Sequence, residues 1–232
     1  MKERPILFSA PMVRALLDGC KTQTRRAIKL PHINPLGKWE AMPWGGPDGG
    51  KTREGKTVPV TMAIGHTRTG DILGCPHGQP GDRLWVRETW YCDDYRVQSG
   101  PYLLPPDQTA SAMRDNGTLV YRADDPAPYE QEQPVWRPSI HMPRWASRMT
   151  LEITDVRVER LQDISEVDAV AEGCVHYEPA NHLSHGGWSH DKRYVHKTAT
   201  ESYVTLWEQI NGPGSWNVNP WVWVIEFKVI TP

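Results

Sequence analysis

The sequence has no long apolar run and few cysteines, and each absence narrows the class of protein. No stretch approaches the roughly 20 apolar residues that a helix needs to cross a bilayer. The N-terminal segment MKERPILFSAP lacks the apolar core of a signal peptide. The four cysteines show no paired spacing. We therefore expect a cytoplasmic protein with no membrane partner and no disulfide framework.

Metal-ligand and phosphate-loop motifs are also missing from the sequence. The cysteines and histidines that could supply zinc ligands form neither a CxxC nor an HxxxH pair. They are Cys75, His77, Cys92, His176, His182, His185, His190 and His196. No GxxxxGK[ST] segment occurs, so we do not expect hydrolysis of nucleoside triphosphates. The sequence predicts no bound metal and no cofactor.

Phenylalanine is scarce, with two residues, whereas tryptophan is frequent, with 11. Tryptophan offers a flat apolar face and one N–H donor, as stacking on nucleic-acid bases requires. Packing in the core or against loops is the alternative and the more common role. The net charge is only −2, but residues 1–30 carry seven Lys or Arg against two Asp or Glu. This composition permits a local anion site in a protein that is not basic overall.

Short strands and a few helices dominate the hydrophobic pattern. Apolar residues predict a strand at 6–8, and a helix follows from Ser9 until Gly19 ends it. Two further helices begin with capping pairs, which are Ser165 with Asp168 and Thr198 with Glu201. Strands without a repeating strand–helix–strand rhythm favour an α+β fold built on a small mixed β-barrel over a doubly wound sheet.

Two strands in the second half have distinct patterns. The apolar alternation that includes Leu151 and Ile153 continues at Val156, out of phase, which predicts a bulge near Thr154 and Asp155. A final strand is predicted from Trp221 to Val229. Its apolar residues on one face are Trp221, Trp223, Ile225, Phe227 and Val229.

Three segments interrupt this pattern, at about 31–72, 91–145 and 174–197. The first is rich in Gly, Pro and charge, and we interpret it as a loop with a hairpin around Val58 to Ile64. The second is acidic and proline-rich, and it is longer than the connections usual in compact domains. The third is rich in histidine. We therefore predict one domain over residues 1–232 with three insertions.

The segment GDRLWVRETW contains a carboxylate at a core-facing position. Strand alternation puts Leu84, Val86 and Glu88 on one face and Trp85 on the other. A buried carboxylate must be neutral or paired, because burial otherwise costs several kcal/mol. Lys21 is the candidate partner, and such coupled pairs are common where a proton is moved. A purely structural ion pair is the alternative.

The segment GCKTQTRR concentrates a lysine, two hydroxyls and two arginines. Residues three apart in an irregular turn can face one pocket, so Lys21 could lie beside Thr24 and favour deprotonation of its hydroxyl. A solvated basic turn is the alternative. Arg25 and Arg26 are candidates to hold a phosphate or ribose, and Trp85 is a candidate to stack on a base.

These motifs resemble the ASCH family of PUA-like proteins. The resemblance rests on the GxKxxTxR pattern at Gly19, Lys21, Thr24 and Arg26, on GDRLWVRETW, and on SWNVNPWVWVIEFK near the C-terminus. It is strongest with the long forms encoded in bacteriophages and prophages. The segments that it covers are roughly 5–30, 80–90, 146–173 and 198–229. It implies a PUA-like β-barrel with flanking helices and a cleft for a nucleoside or nucleic acid, RNA rather than DNA.

Short bacterial members of this family are amidohydrolases that remove the acetyl group from N4-acetylcytidine. Their catalytic Lys, Thr and Glu fall on Lys21, Thr24 and Glu88. The resemblance implies that neutral Lys21 takes the Thr24 proton, that the Thr24 oxygen attacks the amide carbonyl, and that Glu88 passes a proton to the leaving cytosine nitrogen. A non-catalytic nucleic-acid-binding module and an ASCH-type ribonuclease are the alternative functions.

Overall fold

The computed structural model describes residues 1–46, 55–57, 60–125, 135–178, 186–191 and 193–231. Its strands are β1 (Glu3–Leu7), β2 (Gln23–Ala27), β3 (Trp39–Trp44), β4 (Thr61–His66), β5 (Ile72–Gly74), β6 (Arg83–Arg87), β7 (Trp90–Cys92), β8 (Leu119–Tyr121), β9 (Thr150–Arg160), β10 (Val175–Tyr177), β11 (Gly187–Ser189) and β12 (Trp221–Thr231). Its α-helices are α1 (Ala10–Leu17), α2 (Tyr95–Gln98), α3 (Ala110–Asp115), α4 (Glu166–Ala171) and α5 (Ala199–Asn211). The mixture confirms the α+β class.

The strands of the described residues form separate sheets, none of which closes into a barrel. The predicted closed barrel is therefore not seen within the described residues. Strands in or next to the three predicted insertions pair locally with one another, as β3–β4–β5, β7–β8 and β10–β11, and so form small sheets that were not part of the prediction. No helix in the described ranges is long and apolar enough to span a membrane.

The chain divides into two compact units. The first consists of Met1–Gly19, Arg83–Leu151 and Val229–Pro232, and the second of Cys20–Asp82 and Glu152–Lys228. The single domain with insertions stays a prediction.

Helix α1 of the first unit follows the sequence prediction. Ser9 is its N-cap residue, and Pro11 lies in the first turn, where the missing N–H costs no helical hydrogen bond. The buried residues of the helix are Met12, Val13 and Leu16. Gly19 follows with a φ of 71°, a left-handed conformation that glycine adopts without a steric penalty.

Strand β6 of the first unit pairs in parallel with β1. Leu84 and Val86 are 0% and 1% exposed, whereas Trp85 is half-buried. Glu88, directly after the strand, is 1% exposed. The alternation confirms that Glu88 shares the core-facing side of β6.

The segment 91–145 of the first unit builds its own apolar core. β7 and β8 pair antiparallel, and the Tyr121 hydroxyl donates a 2.7 Å hydrogen bond to the Ala146 carbonyl. The buried members of this core are Trp90, Cys92, Val97, Met113, Leu119, Tyr121, Met142 and Ala146. The described residues of this predicted insertion therefore form ordered structure with a dense interior.

In the second unit, β12 lies between β9 and β2 and pairs antiparallel with β2. Along β9, Ile153 is buried, Thr154 and Asp155 are exposed, and Val156 is buried again, which confirms the predicted change of phase. Residues 222–225 of β12 are buried consecutively. Both faces of this strand are covered, whereas the sequence pattern assigned its apolar residues to one face.

Strands β3, β4 and β5 of the second unit form an antiparallel sheet. The loop interpretation of this segment is wrong for β3 and β5, whereas β4 lies partly within the predicted hairpin. Pro43 and Gly65 interrupt the pattern from which a strand is recognised. β4 begins at Thr61 within the predicted hairpin, and residues 58–59 lie outside the described residues.

Helices α4 and α5 of the second unit begin where the sequence predicts. Ser165 and Asp168 form a reciprocal capping box, and the Thr198 hydroxyl accepts from the Glu201 N–H. Glu172 is the C-cap residue of α4. Glycines follow both helices, Gly173 after α4 and Gly212 after α5.

Candidate functional site

Lys21 has a fully buried ammonium group that contacts the end of α4. Its Nζ donates to Glu172 Oε2 at 2.7 Å and to the Glu172 carbonyl oxygen at 2.8 Å. The two side chains are 0% and 1% exposed. The backbones are also joined, by a Lys21–Glu172 β-bridge and by a 2.8 Å hydrogen bond from Thr22 N to Ala171 O. The segment that carries Lys21 is therefore fixed against α4 in the second unit.

The environment of Lys21 favours loss of its proton. Burial lowers the pKa of its ammonium, because the charged group has lost its hydration. Attraction to Glu172 and the hydrogen bond between them oppose this effect, and repulsion from Arg26 adds to it. The net direction is a pKa below the ordinary lysine value. A lysine in this condition can serve as a proton acceptor.

The two threonines of the motif have different surroundings. Gln23 and Arg25 of β2 both contact Asp168, so strand alternation puts Thr24 on the opposite face of β2. Thr24 is 1% exposed, whereas Thr22 is exposed. Thr24 is therefore the hydroxyl that the fold sequesters. Proton transfer between Lys21 and Thr24 stays a prediction.

Arg25 is held by three carboxylates of the second unit. Its Nη2 lies 3.1 Å from Glu159 Oε2 and 3.3 Å from Asp168 Oδ2. Its Nη1 lies 3.4 Å from Glu172 Oε1. A guanidinium that is 0% exposed requires such partners. The contacts make Arg25 part of an ion-pair network, and its predicted contact with a phosphate or ribose stays a prediction.

Three more ionisable groups interact electrostatically with the Lys21–Glu172 pair. Burial raises the pKa of the Cys174 thiol to about 11 and that of the Tyr203 hydroxyl well above its usual value. Both groups are therefore neutral near pH 7. Burial lowers the pKa of Arg26, which nevertheless stays charged because guanidinium is so basic. The predicted ligand contact of Arg26 stays a prediction.

Glu88 is paired within the first unit. Its two carboxylate oxygens accept from Nε and Nη2 of Arg148, both at 3.0 Å. The same guanidinium binds Asp124 at 2.8 and 2.9 Å and lies 4.1 Å from the centre of the Tyr121 ring. Burial raises the pKa of Glu88, Arg148 opposes this, and repulsion from Asp124 adds to it. The expected pairing of Glu88 with Lys21 stays a prediction.

Trp85 of the first unit has two arginines close to its ring. The guanidinium carbons of Arg87 and Arg144 are 5.0 and 5.8 Å from its ring centre. Arg87 also donates to the Met142 carbonyl at 2.9 Å, and Arg144 donates to Glu3 at 3.1 Å. The half-buried ring therefore takes part in cation–π contacts. Its predicted stacking on a base stays a prediction.

Sequence reasoning missed Glu172 and Arg148, which are the observed partners of Lys21 and Glu88. One signal was available for Glu172, since a carboxylate at the C-terminal end of a helix is unfavourable with respect to the helix dipole and is stabilised by a nearby cation. Arg148 carries no comparable local signal. Its role depends on contacts with residues far away in the sequence.

No group of three or more His, Cys, Asp or Glu side chains that could hold a metal ion occurs within the described ranges. His182 and His185 lie outside those ranges.

Comparisons with protein-family models, characterised proteins and solved structures give no significant match to this chain. The function is therefore inferred from the two buried ion pairs, Lys21 with Glu172 and Glu88 with Arg148, and from the sequence motifs that contain Lys21 and Glu88.

Proposed function

We propose that this protein is an amidohydrolase that removes the acetyl group from N4-acetylcytidine or a related acylated cytosine nucleoside, and that it has a PUA-like fold of the ASCH type. The observation that carries the proposal is the buried Lys21, whose pKa burial lowers, three positions before the buried Thr24. A hydroxyl nucleophile with a lysine base is a combination that supports amide cleavage through an acyl intermediate.

In the proposed reaction, neutral Lys21 accepts the hydroxyl proton of Thr24. The Thr24 oxygen then forms a bond to the amide carbonyl carbon, and the bond from that carbon to the cytosine nitrogen breaks. The nitrogen leaves with one added proton as the free amine of cytidine. Water hydrolyses the acetyl-threonine ester, which releases acetate and restores Thr24. The overall reaction consumes one water and needs no redox partner.

The resemblance to the amidohydrolases assigns the proton for the leaving nitrogen to Glu88. Burial raises the pKa of this carboxyl and so favours the protonated form that a proton donor needs, which supports the assignment. Arg148 limits the effect by stabilising the carboxylate. The part of Glu88 in the reaction belongs to the proposal.

Acetate release from N4-acetylcytidine tests the proposal directly. We expect turnover by the wild type and a loss of at least about 100-fold in Lys21→Ala and in Thr24→Ala, since a base and a nucleophile are removed. Thr22→Ala is the matched control, because it removes the exposed hydroxyl of the same motif. It should retain wild-type activity.

Two results contradict the proposal. One is a purified, folded wild type that releases no acetate from N4-acetylcytidine or other acylated cytidines. The other is turnover that survives Thr24→Ala as well as it survives Thr22→Ala.

RNA binding is a second candidate function, favoured by the closeness of Arg87 and Arg144 to the Trp85 ring. Aromatic and arginine side chains together suit the stacking and backbone contacts of single-stranded RNA. This function predicts an RNA affinity that falls steeply with added salt and weakens in Trp85→Ala. Cleavage of a labelled RNA by the purified protein would indicate the ribonuclease alternative instead.

A further inference from the structure

Glu172 contacts the Lys21 ammonium with two different acceptors. One is its carboxylate oxygen Oε2 at 2.7 Å, and the other is its own backbone carbonyl oxygen at 2.8 Å. An ammonium group has three donors, so a single residue fixes two of them. The direction of Nζ is therefore set by Glu172.

The backbone of Glu172 is itself held firmly. Its N–H donates to the Asp168 carbonyl at 2.9 Å, which closes the last turn of α4. The start of α4 is tied to α5, because the Glu166 carboxylate accepts from the N–H groups of Ala199 and Thr200 at 2.8 and 3.2 Å. The paired helices thus determine where the Glu172 carboxylate lies.

The Glu172 carboxylate lies close to two cationic side chains. Its Oε2 faces Lys21, and its Oε1 lies 3.4 Å from Arg25 Nη1. The other ionisable groups that face this pair are Arg26 from β2, Cys174 after α4, and Tyr203 from α5. Burial keeps the Cys174 thiol and the Tyr203 hydroxyl neutral near pH 7, so neither adds a negative charge beside Lys21.

We infer that Glu172 is a positioning residue for the proposed deacylation, which holds the Lys21 amine in place and sets the pH range over which Lys21 is neutral. The inference rests on the proposed function. It goes beyond the three residues that the resemblance supplies. It proposes that a carboxylate at the end of α4 controls the protonation of Lys21.

The sign of the effect follows from the charges. A neighbouring carboxylate stabilises the ammonium form, so it raises the pH at which Lys21 becomes the neutral base. Removal of that charge in Glu172→Gln leaves burial and Arg26 to act on Lys21. The rising limb of kcat/KM against pH should then move to lower pH, by about one unit or more. On that limb a shift of one unit corresponds to about a tenfold gain in rate at a fixed pH.

The experiment measures kcat/KM for acetate release against pH in the wild type, Glu172→Gln and Glu172→Asp. Glu172→Asp keeps the negative charge, but the shorter side chain places it farther from Lys21. Its pH profile of kcat/KM should therefore lie between those of the wild type and Glu172→Gln. Glu40→Gln is the control, because Glu40 forms an exposed pair with Lys38. Its profile should match that of the wild type.

A second measurement keeps the inference independent of turnover. Side-chain NMR of isotopically labelled lysine follows the titration of Lys21 directly, without substrate. The inference predicts a lower midpoint in Glu172→Gln and a smaller decrease in Glu172→Asp. If Glu172→Gln does not fold, the aspartate variant alone decides.

The two measurements separate the possible failures. A folded Glu172 variant that leaves the Lys21 titration unchanged overturns the inference, whatever the activity. Absence of acetate release by the wild type contradicts the proposed function and with it the part of Glu172 in catalysis, even where the titration moves as predicted. A shifted titration together with a shifted rate profile supports both.

Discussion

At the scale of single residues, burial of charge organises both candidate sites. Lys21 is buried with Glu172, and Glu88 is buried with Arg148. The sequence predicted that Glu88 is buried, because strand alternation is a local property. It did not predict the observed partners, because Glu172 lies 151 positions from Lys21 and Arg148 lies 60 positions from Glu88. Only the tertiary fold brings such residues together.

The pair between Glu88 and Arg148 predicts a large loss of stability when the arginine is removed. Arg148→Ala leaves two carboxylates, Glu88 and Asp124, without their shared guanidinium. Removal of one partner from a buried ion pair costs about 3–5 kcal/mol. Hydrogen exchange of the β7 and β8 amides should report this loss in the free energy of unfolding.

Arg96 provides the matched comparison, since it also bridges two carboxylates, Asp94 and Asp107, but at an exposed position. Exposed ion pairs contribute little to stability. Arg96→Ala should therefore leave the exchange of β7 and β8 close to that of the wild type. Equal effects of the two substitutions would contradict the importance of burial.

At the scale of elements, local signals were reliable and interrupted patterns were not. The starts of α4 and α5 were predicted because the N-cap residue and its partner lie within four residues of each other. The sheet β3–β4–β5 was missed, because Pro43 and Gly65 break the pattern and the strands are stabilised by pairing with each other. Strand formation here depends on neighbours that a single segment does not contain.

Gly37, which precedes β3, allows a test of how tightly this sheet is packed. A methyl group at Gly37 would lie 2.6 Å from Cβ of Arg68 and 2.7 Å from Cε1 of His66. These contacts are too short, and overpacking of this kind costs about 1–3 kcal/mol. Gly37→Ala should therefore speed hydrogen exchange of the β3 and β4 amides.

The control for this prediction is Gly74 at the end of β5, where an added methyl group meets nothing within 4 Å. Gly74→Ala should leave exchange in the sheet nearly unchanged. If Gly37→Ala also left hydrogen exchange in the sheet unchanged, the close approach of Gly37 to Arg68 and His66 would be refuted.

At the scale of the whole molecule, each compact unit is assembled from distant segments. The first unit pairs β1 with β6, and the second pairs β2 with β12. The hydrophobic pattern was sufficient to predict the α+β class, because that class depends only on which strands and helices are present and in what order. The closed barrel was not predictable in this way, since closure depends on which strands pair across the chain, and much of the predicted loop pairs locally instead.

The charge state of Lys21 is the property on which the proposed reaction depends most directly. It can be measured in the wild type by following the side-chain NMR signal of labelled Lys21 against pH. Burial predicts a midpoint below the usual lysine value of about 10.4, so that the neutral amine is available to accept the Thr24 proton. A midpoint at or above the usual value would mean that Glu172 outweighs burial, and it would contradict the role of Lys21 as the base.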